Sequence, residues 1–247
     1  MSRLPLALTV RILGALFLIE FVVLGIAPVS RSAWVLENLI VVALAVVLAL
    51  AWRNFRLSRV SYTLLFLFLC VHEVGAHYTY SQVPYDEAWQ ALTGSSLNAS
   101  MGWERNHFDR FVHFLYGLLL AYPVREFYLR VVSVRGIWGF TMPLGFAMST
   151  SMMYELLEWA AAEVFGGELA FDYVGAQGDV WDAQKDMAAA SLGAVVAMAV
   201  TLATNVFLER DFAAEWAESL RVKDPEPLGE EALARMIEQS ENDPESD

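Results

Sequence analysis

Apolar runs of about twenty residues recur along this chain, and that length decides what it can fold into. A helix of about twenty residues spans the hydrocarbon of a bilayer, where every backbone N–H and C=O must find its partner within the chain. Six such runs are read at residues 8–28, 33–52, 60–80, 107–124, 137–165 and 183–208. The chain is 57% hydrophobic over 247 residues, with a mean hydropathy of +0.42, which a water-soluble domain of this size would not tolerate. The expected fold class is therefore all-α, a polytopic membrane helix bundle of six transmembrane helices. Arg3 ahead of the first run imitates a secretory leader. Arg11 and Glu20 interrupt that run and no small-residue cleavage site follows, so it is read as a retained span. Cys70 is the single cysteine, which rules out an intrachain disulfide.

Lys and Arg set the expected orientation. Arg53, Arg56 and Arg59 lie between runs two and three, and Arg125, Arg130 and Arg135 between runs four and five. Arg210, Arg221, Lys223 and Arg235 follow the last run, whereas the alternate links hold little beyond Arg31, Arg105 and Arg110. Cytoplasmic links collect basic residues, so both termini are expected in the cytoplasm. The chain then divides into a transmembrane domain, residues 1–208, and an acidic cytoplasmic tail, residues 209–247, partly helical or disordered. Much of the formal charge of −13 sits in that tail, and nothing points to nucleic acid.

With this orientation, four polar motifs fall at the outer side of the membrane. Run three ends in HEVGAHYTY, run four opens with NHFDRFVHF, run five carries YELLEW late, and run six opens with GDVWDAQKDM. Residues three or four apart share a helix face. Glu73 and His77 are so spaced, as are Asp109 and His113, Glu155 and Glu158, and Asp179, Asp182 and Asp186. His72 lies about 100° round the helix from Glu73, still within reach of an interhelical site. A charge in hydrocarbon costs at least ~2.5–3.5 kcal/mol, so such residues face partners or a wet cavity. Arg110 and Lys185 are too few to neutralise these acids. Protonation, hydration or a bound cation must make up the difference. Neutral imidazole with carboxylate suits a divalent ion such as Zn, Mn or Fe. His72, His77, Asp109, His113, Glu155, Asp179, Asp182 and Asp186 are the candidate ligands, with Glu73 and Glu158 as candidate general bases.

Plainer readings stand beside these. The order H-E-x-x-x-H is one residue longer than the zinc-protease motif, so that motif is not present. Asp109 and Arg110 could pair at a helix start, and Asp179 or Asp182 could cap the sixth helix. Tyr78, Tyr80, Trp89, Trp103, Trp159 and Trp181 fit an interfacial aromatic belt, and Gly75 and Gly117 fit close helix packing. Ser149 and Ser151 lack an evident histidine relay, which disfavours a serine nucleophile.

At HEVGAHYTY, DRFVHF, YELLEW and GDVWDAQKDM, together with six spans, residues 8–208 resemble the YjdF-type family of bacterial inner-membrane proteins. The resemblance implies an inner-membrane location and carries no activity across. From the residues themselves, the expected function is metal-dependent hydrolysis of a lipid or lipid-linked substrate near the outer face. A proton- or cation-coupled transporter is the first alternative, since buried acids and histidines also build ion paths. A non-catalytic assembly partner docking through the acidic tail is the second. The sequence sets neither substrate nor oligomeric state.

Overall fold

The computed structural model describes residues 5–167, 174, 177–208, 212–221 and 229–241, and the described residues are helical with no strand. Six long helices lie where the six apolar runs predict them: α1 (Leu6–Leu24), α2 (Arg31–Ala51), α3 (Arg59–His77), α6 (Phe108–Phe127), α7 (Trp138–Phe165) and α8 (Asp182–Phe207). Between α3 and α6 stand two short helices, α4 (Tyr85–Thr93) and α5 (Leu97–Met101). In the tail, α9 (Phe212–Ser219) and α10 (Glu230–Glu241) follow. The acidic stretches 222–228 and 242–247, and residues 168–173 of the link before α8, lie outside the described residues.

Four helices, α1, α2, α3 and α8, are long and apolar enough to cross a membrane. The other two are of similar length, and polar side chains on them lower their apolarity. Helix α1 buries no residue and exposes Leu16, Leu18, Ile19 and Val22, the pattern of a helix solvated by lipid.

Helix α6 is the centre of the bundle and packs on α3, α7 and α8. Its seam with α8 brings backbone against backbone: a Cβ on Gly117 would overlap the Ala190 carbonyl, and one on Gly193 the Phe114 carbonyl. Ala121, Ala190 and Ala194 continue that seam fully buried. Small residues permit such approach where no hydrophobic effect drives helices together. Beyond the seam, Ala121, Phe140, Ala147, Ala194, Ala197 and Met198 form an apolar core.

Two helix ends differ from the sequence reading. The third helix, predicted to reach residue 80, stops at His77 because Thr79 and Tyr80 both adopt left-handed backbone, φ 54°. That turn lays the Tyr80 ring over Gly75, where any Cβ would collide. The first helix, predicted to residue 28, stops at Leu24, and Gly25 caps it. At the opposite end of the bundle, the Glu126 carboxylate accepts from Ser58 N at 2.9 Å and Ser61 Oγ at 2.6 Å, tying α6 to the start of α3. Helix α9 folds back on the start of α7. Trp216 meets Phe140 ring to ring at 6.4 Å, Trp138 Nε1 donates to the Ser219 carbonyl at 3.0 Å, and Gly136 N donates to Glu215.

Candidate functional site

The polar motifs meet at one end of the bundle, where α3 ends, α6 and α8 begin, and α7 nears its close. Helix α6 projects Asp109 and His113 from successive turns, and α8 projects Asp186 toward them. One ligand atom from each of these three lies within 4.8 Å of the others. Helix α7 adds Glu155, whose Oε1 is 3.3 Å from His113 Nε2, while Asp109 Oδ1 stands 3.7 Å from the same nitrogen. Glu158, one turn on, is buried beside the carboxyls of Asp109, Glu155, Glu37 and Asp186, and shares a hydrogen bond with Glu155. Asp186 Oδ1 and Glu155 Oε1 are both sealed from solvent without a hydrogen bond. Buried polar atoms are nearly always satisfied, and leaving one unpaired costs about 1–3 kcal/mol, more for a charge. A proton or a cation placed among them would satisfy these two atoms.

Asp179 and Asp182 are engaged elsewhere. Arg110 donates to Asp179 and, at 3.2 Å, to Asp182, while Arg105 donates to Asp182 and lies 3.6 Å from Asp179. Lys185 Nζ adds a bond to Asp179 at 2.6 Å. The Asp109–Arg110 pairing considered from sequence gives way to this bridge, in which Arg110 reaches across to the start of α8. Asp179 also accepts from Trp181 N at 3.1 Å, ahead of the first turn of α8. Lys185, the Trp181 amide and Arg110 together hold the Asp179 carboxyl well below the usual carboxylate range. The links that precede α6 and α8 are stitched in the same place. Asn106 N donates to Gln177 Oε1 at 2.9 Å, and Gln177 Nε2 returns a bond to the Asn106 carbonyl at 3.1 Å.

The α3 motif lies in a buried polar group against α1 and α2. His72 is buried, with its Nδ1 2.6 Å from the Tyr80 hydroxyl and its ring facing the Glu37 backbone of α2. Glu73 is wholly buried and faces the side-chain donors of Trp34 and Asn38 on α2 and, beyond them, Glu20 of α1. His77 turns away from both groups, its Nδ1 2.7 Å from the Leu24 carbonyl at the end of α1. The structure thus gathers Asp109, His113, Glu155, Glu158 and Asp186, sets His72 and Glu73 beside them, and separates His77.

Sequence reasoning missed Glu37, Tyr154, Tyr80 and Arg105 as participants. Tyr154 donates to Glu37 Oε2 at 2.5 Å and sets its ring edge-on to His113 at 6.0 Å. Glu37 faces both Asp109 and Glu73, so it stands between the two polar groups. Its signal was present: a carboxylate seven residues into the apolar helix RSAWVLENLIVV is the same anomaly that exposed Glu73. Beside the triad, a cavity of about 300 Å³ is lined by Glu155, Glu158, Asp182 and Asp186, with Trp159 and Ala162 among its apolar walls.

The family model described as "Predicted membrane protein (DUF2238)" matches residues 9–206. The inner membrane protein YjdF of Escherichia coli (strain K12) is 36% identical over 188 residues, covering 75% of this chain and 82% of that protein. No solved structure matches. Such a match, with several apolar helices, makes the chain a multi-pass protein of the bacterial inner membrane. By the extent of both matches, it belongs to the DUF2238 family of membrane proteins, as the resemblance read from its polar motifs implies.

Proposed function

We propose that this chain is a six-span inner-membrane protein with both termini cytoplasmic, residues 209–247 forming its cytoplasmic tail. On this reading it binds a divalent cation at Asp109, His113 and Asp186 near the outer face and hydrolyses a lipid or lipid-linked substrate there. One observation carries it: three ligand atoms from two facing helices converge within 4.8 Å, with Asp186 Oδ1 buried and without a hydrogen bond. Imidazole and carboxylate take ~2.0–2.2 Å on zinc, so these three side chains would close around the ion. Glu155 stands ready as a fourth ligand. The bound ion would polarise a phosphoryl or acyl oxygen and acidify a bound water. Glu158 suits the general base better than Glu73, because it lines the cavity and faces Asp109 and Asp186. Asp179 and Asp182, spent on Arg105, Arg110 and Lys185, serve to fix the start of α8 and hence Asp186.

Against a transporter, the opposite half of the bundle is filled by the apolar core around Ala121, Phe140, Ala147 and Met198, whereas an ion path needs polar groups through the whole thickness. Metal analysis of gently purified protein tests the proposal. One equivalent of Zn, Mn or Fe is expected in the unaltered chain, and well under a tenth of that in Asp186→Asn and Asp109→Asn. Phospholipid turnover lost in the same variants supports hydrolysis. A metal-free native preparation that cannot be reloaded would sink the metal reading.

A further inference from the structure

We infer that the groove between the start of α2 and the end of α7 docks one phospholipid, its phosphate on Arg31 and an acyl chain against Val35, Leu36 and Phe165. The groove has a volume of about 470 Å³ and is lined by these four residues and Ser32. It exists because α2 and α7 are held in different parts of the bundle. Leu44 and Leu48 of α2 pack with Leu57, Tyr62 and Leu65, whereas Phe140 and Ala147 of α7 pack with Ala121 and Ala194. Among the described residues, neither apolar cluster holds side chains of both helices. The contact that bridges them deeper in the bundle is polar, the hydrogen bond from Tyr154 to Glu37. Nearer the polar end, the two helices leave the groove open to the bilayer.

Charge at the mouth fits an anion. At the same end of the bundle, Arg105, Arg110 and Lys185 are engaged by Asp179 and Asp182. Arg31 makes no ion pair among the described residues. Its guanidinium donates to the Gly25 carbonyl and, at 2.7 Å, to that of Ile26, and lies 5.8 Å from the Trp34 ring centroid. These contacts hold the fork at the mouth and use two of its five N–H donors, leaving the rest for phosphate oxygens. Below the mouth the lining is apolar. Val35 and Phe165 are exposed, as are Leu39 and Ile40 further along α2 and Val164 on α7, so the groove is continuous with the lipid-facing sides of both helices. A soluble anion would leave those walls bare and a neutral lipid would leave the arginine bare, whereas a phospholipid satisfies both. On the hydrolytic reading, which this last step requires, the docked phospholipid is the substrate. Phe165 lies seven residues from Glu158 on one face of α7, and Ala161 and Ala162 between them present no bulky side chain. The groove therefore leads along α7 to Glu158, and the Tyr154–Glu37 bond crosses between the helices one turn deeper.

The test uses the full chain in nonionic, phosphate-free detergent micelles, titrated with phosphatidylglycerol or diacylglycerol carrying a photoactivatable diazirine in one acyl chain. Labelled residues are read by peptide mass spectrometry. Labelling at Val35, Leu36 and Phe165 should saturate, while labelling at the lipid-facing Leu16 and Ile19 of α1 should rise linearly. Half-saturation should need about tenfold less phosphatidylglycerol than diacylglycerol, as a charged hydrogen bond to the phosphate implies. In Arg31→Gln that ratio should fall to about one. Leu36→Trp, which fills the groove and spares the Arg31 contacts, should abolish the saturable part and serves if Arg31→Gln fails to fold. Linear labelling at the groove, or equal half-saturation for the two lipids in the unaltered protein, would overturn the inference and leave the metal site standing. Competition by inorganic phosphate would overturn the lipid as occupant. Saturable, phosphate-dependent labelling in protein that neither binds metal nor turns lipid over would overturn the hydrolytic reading and keep the docking site.

Discussion

Glu37 and Tyr154 show how much depends on one buried hydrogen bond. Tyr154 donates to Glu37 at 2.5 Å inside the bundle, and Glu37 also faces Asp109 and Glu73. Removing the donor and removing the charge should therefore act in opposite directions. Tyr154→Phe leaves a buried carboxylate oxygen unpaired and should destabilise by about 1–3 kcal/mol. Glu37→Gln keeps an oxygen to accept from Tyr154 and deletes a charge that repels two others, so its melting temperature in detergent should equal or exceed that of the unaltered chain. Equal losses in both variants would show that the charge on Glu37 is compensated by something other than its tyrosine. A second residue, Asp179, sets a pH limit. Lys185, the Trp181 amide and Arg110 hold its folded pKa below the unfolded value near ~3.9. Its stabilisation is then complete above that unfolded value and is lost only as pH falls through the lower folded one. Amide exchange over residues 177–182 should accordingly stay slow from neutral pH down to about 4.5, once corrected for intrinsic rates, and should quicken in Asp179→Asn even at pH 7.

At the scale of helices, what could be read in the sequence was set by length and by side-chain spacing. Apolar runs of about twenty residues placed six long helices because nothing shorter satisfies a bilayer, and the i, i+4 pair Asp109 and His113 does share a face of α6. The turn at Thr79 and Tyr80 was not legible, since neither residue is glycine and its left-handed backbone is fixed by Tyr80 packing over Gly75 and bonding His72. Nor was the direction of His77, which depends on where α1 ends. Helices α4 and α5 escaped for a related reason. They are short, and Asp86 holds them through Ser96 Oγ at 2.7 Å and Asn98 N at 2.9 Å, bonds that no periodicity announces. Gly117, by contrast, was expected at a helix contact and is found in one, opposite an unforeseen Gly193. Because Gly193 meets the Phe114 carbonyl rather than a movable side chain, Gly193→Leu cannot be absorbed by rotamer change. It should cost more than the ~1–3 kcal/mol typical of overpacking and should separate Asp186 from His113. Metal binding should be lost together with thermal stability. Gly145→Leu, where nothing lies within 4 Å of the added Cβ, should lose neither.

For the whole molecule, the functional reading requires the polar end of the bundle to face away from the cytoplasm. The argument is electrostatic: Arg53, Arg56 and Arg59 crowd one end with Arg125, Arg130 and Arg135, and the carboxylate cluster lies at the other. The single cysteine makes the orientation measurable. On a Cys70→Ala background, Ser95→Cys places one thiol in the link between α4 and α5, and Asn54→Cys places one in the link between α2 and α3; both positions are exposed. In intact spheroplasts a membrane-impermeant maleimide should label Ser95→Cys fully and Asn54→Cys only after permeabilisation. The opposite pattern would put the metal site in the cytoplasm, where the outer-leaflet substrate proposed for it could not reach. Labelling of both without permeabilisation would mean that α3 does not cross the membrane, and the six-span arrangement would fall with it.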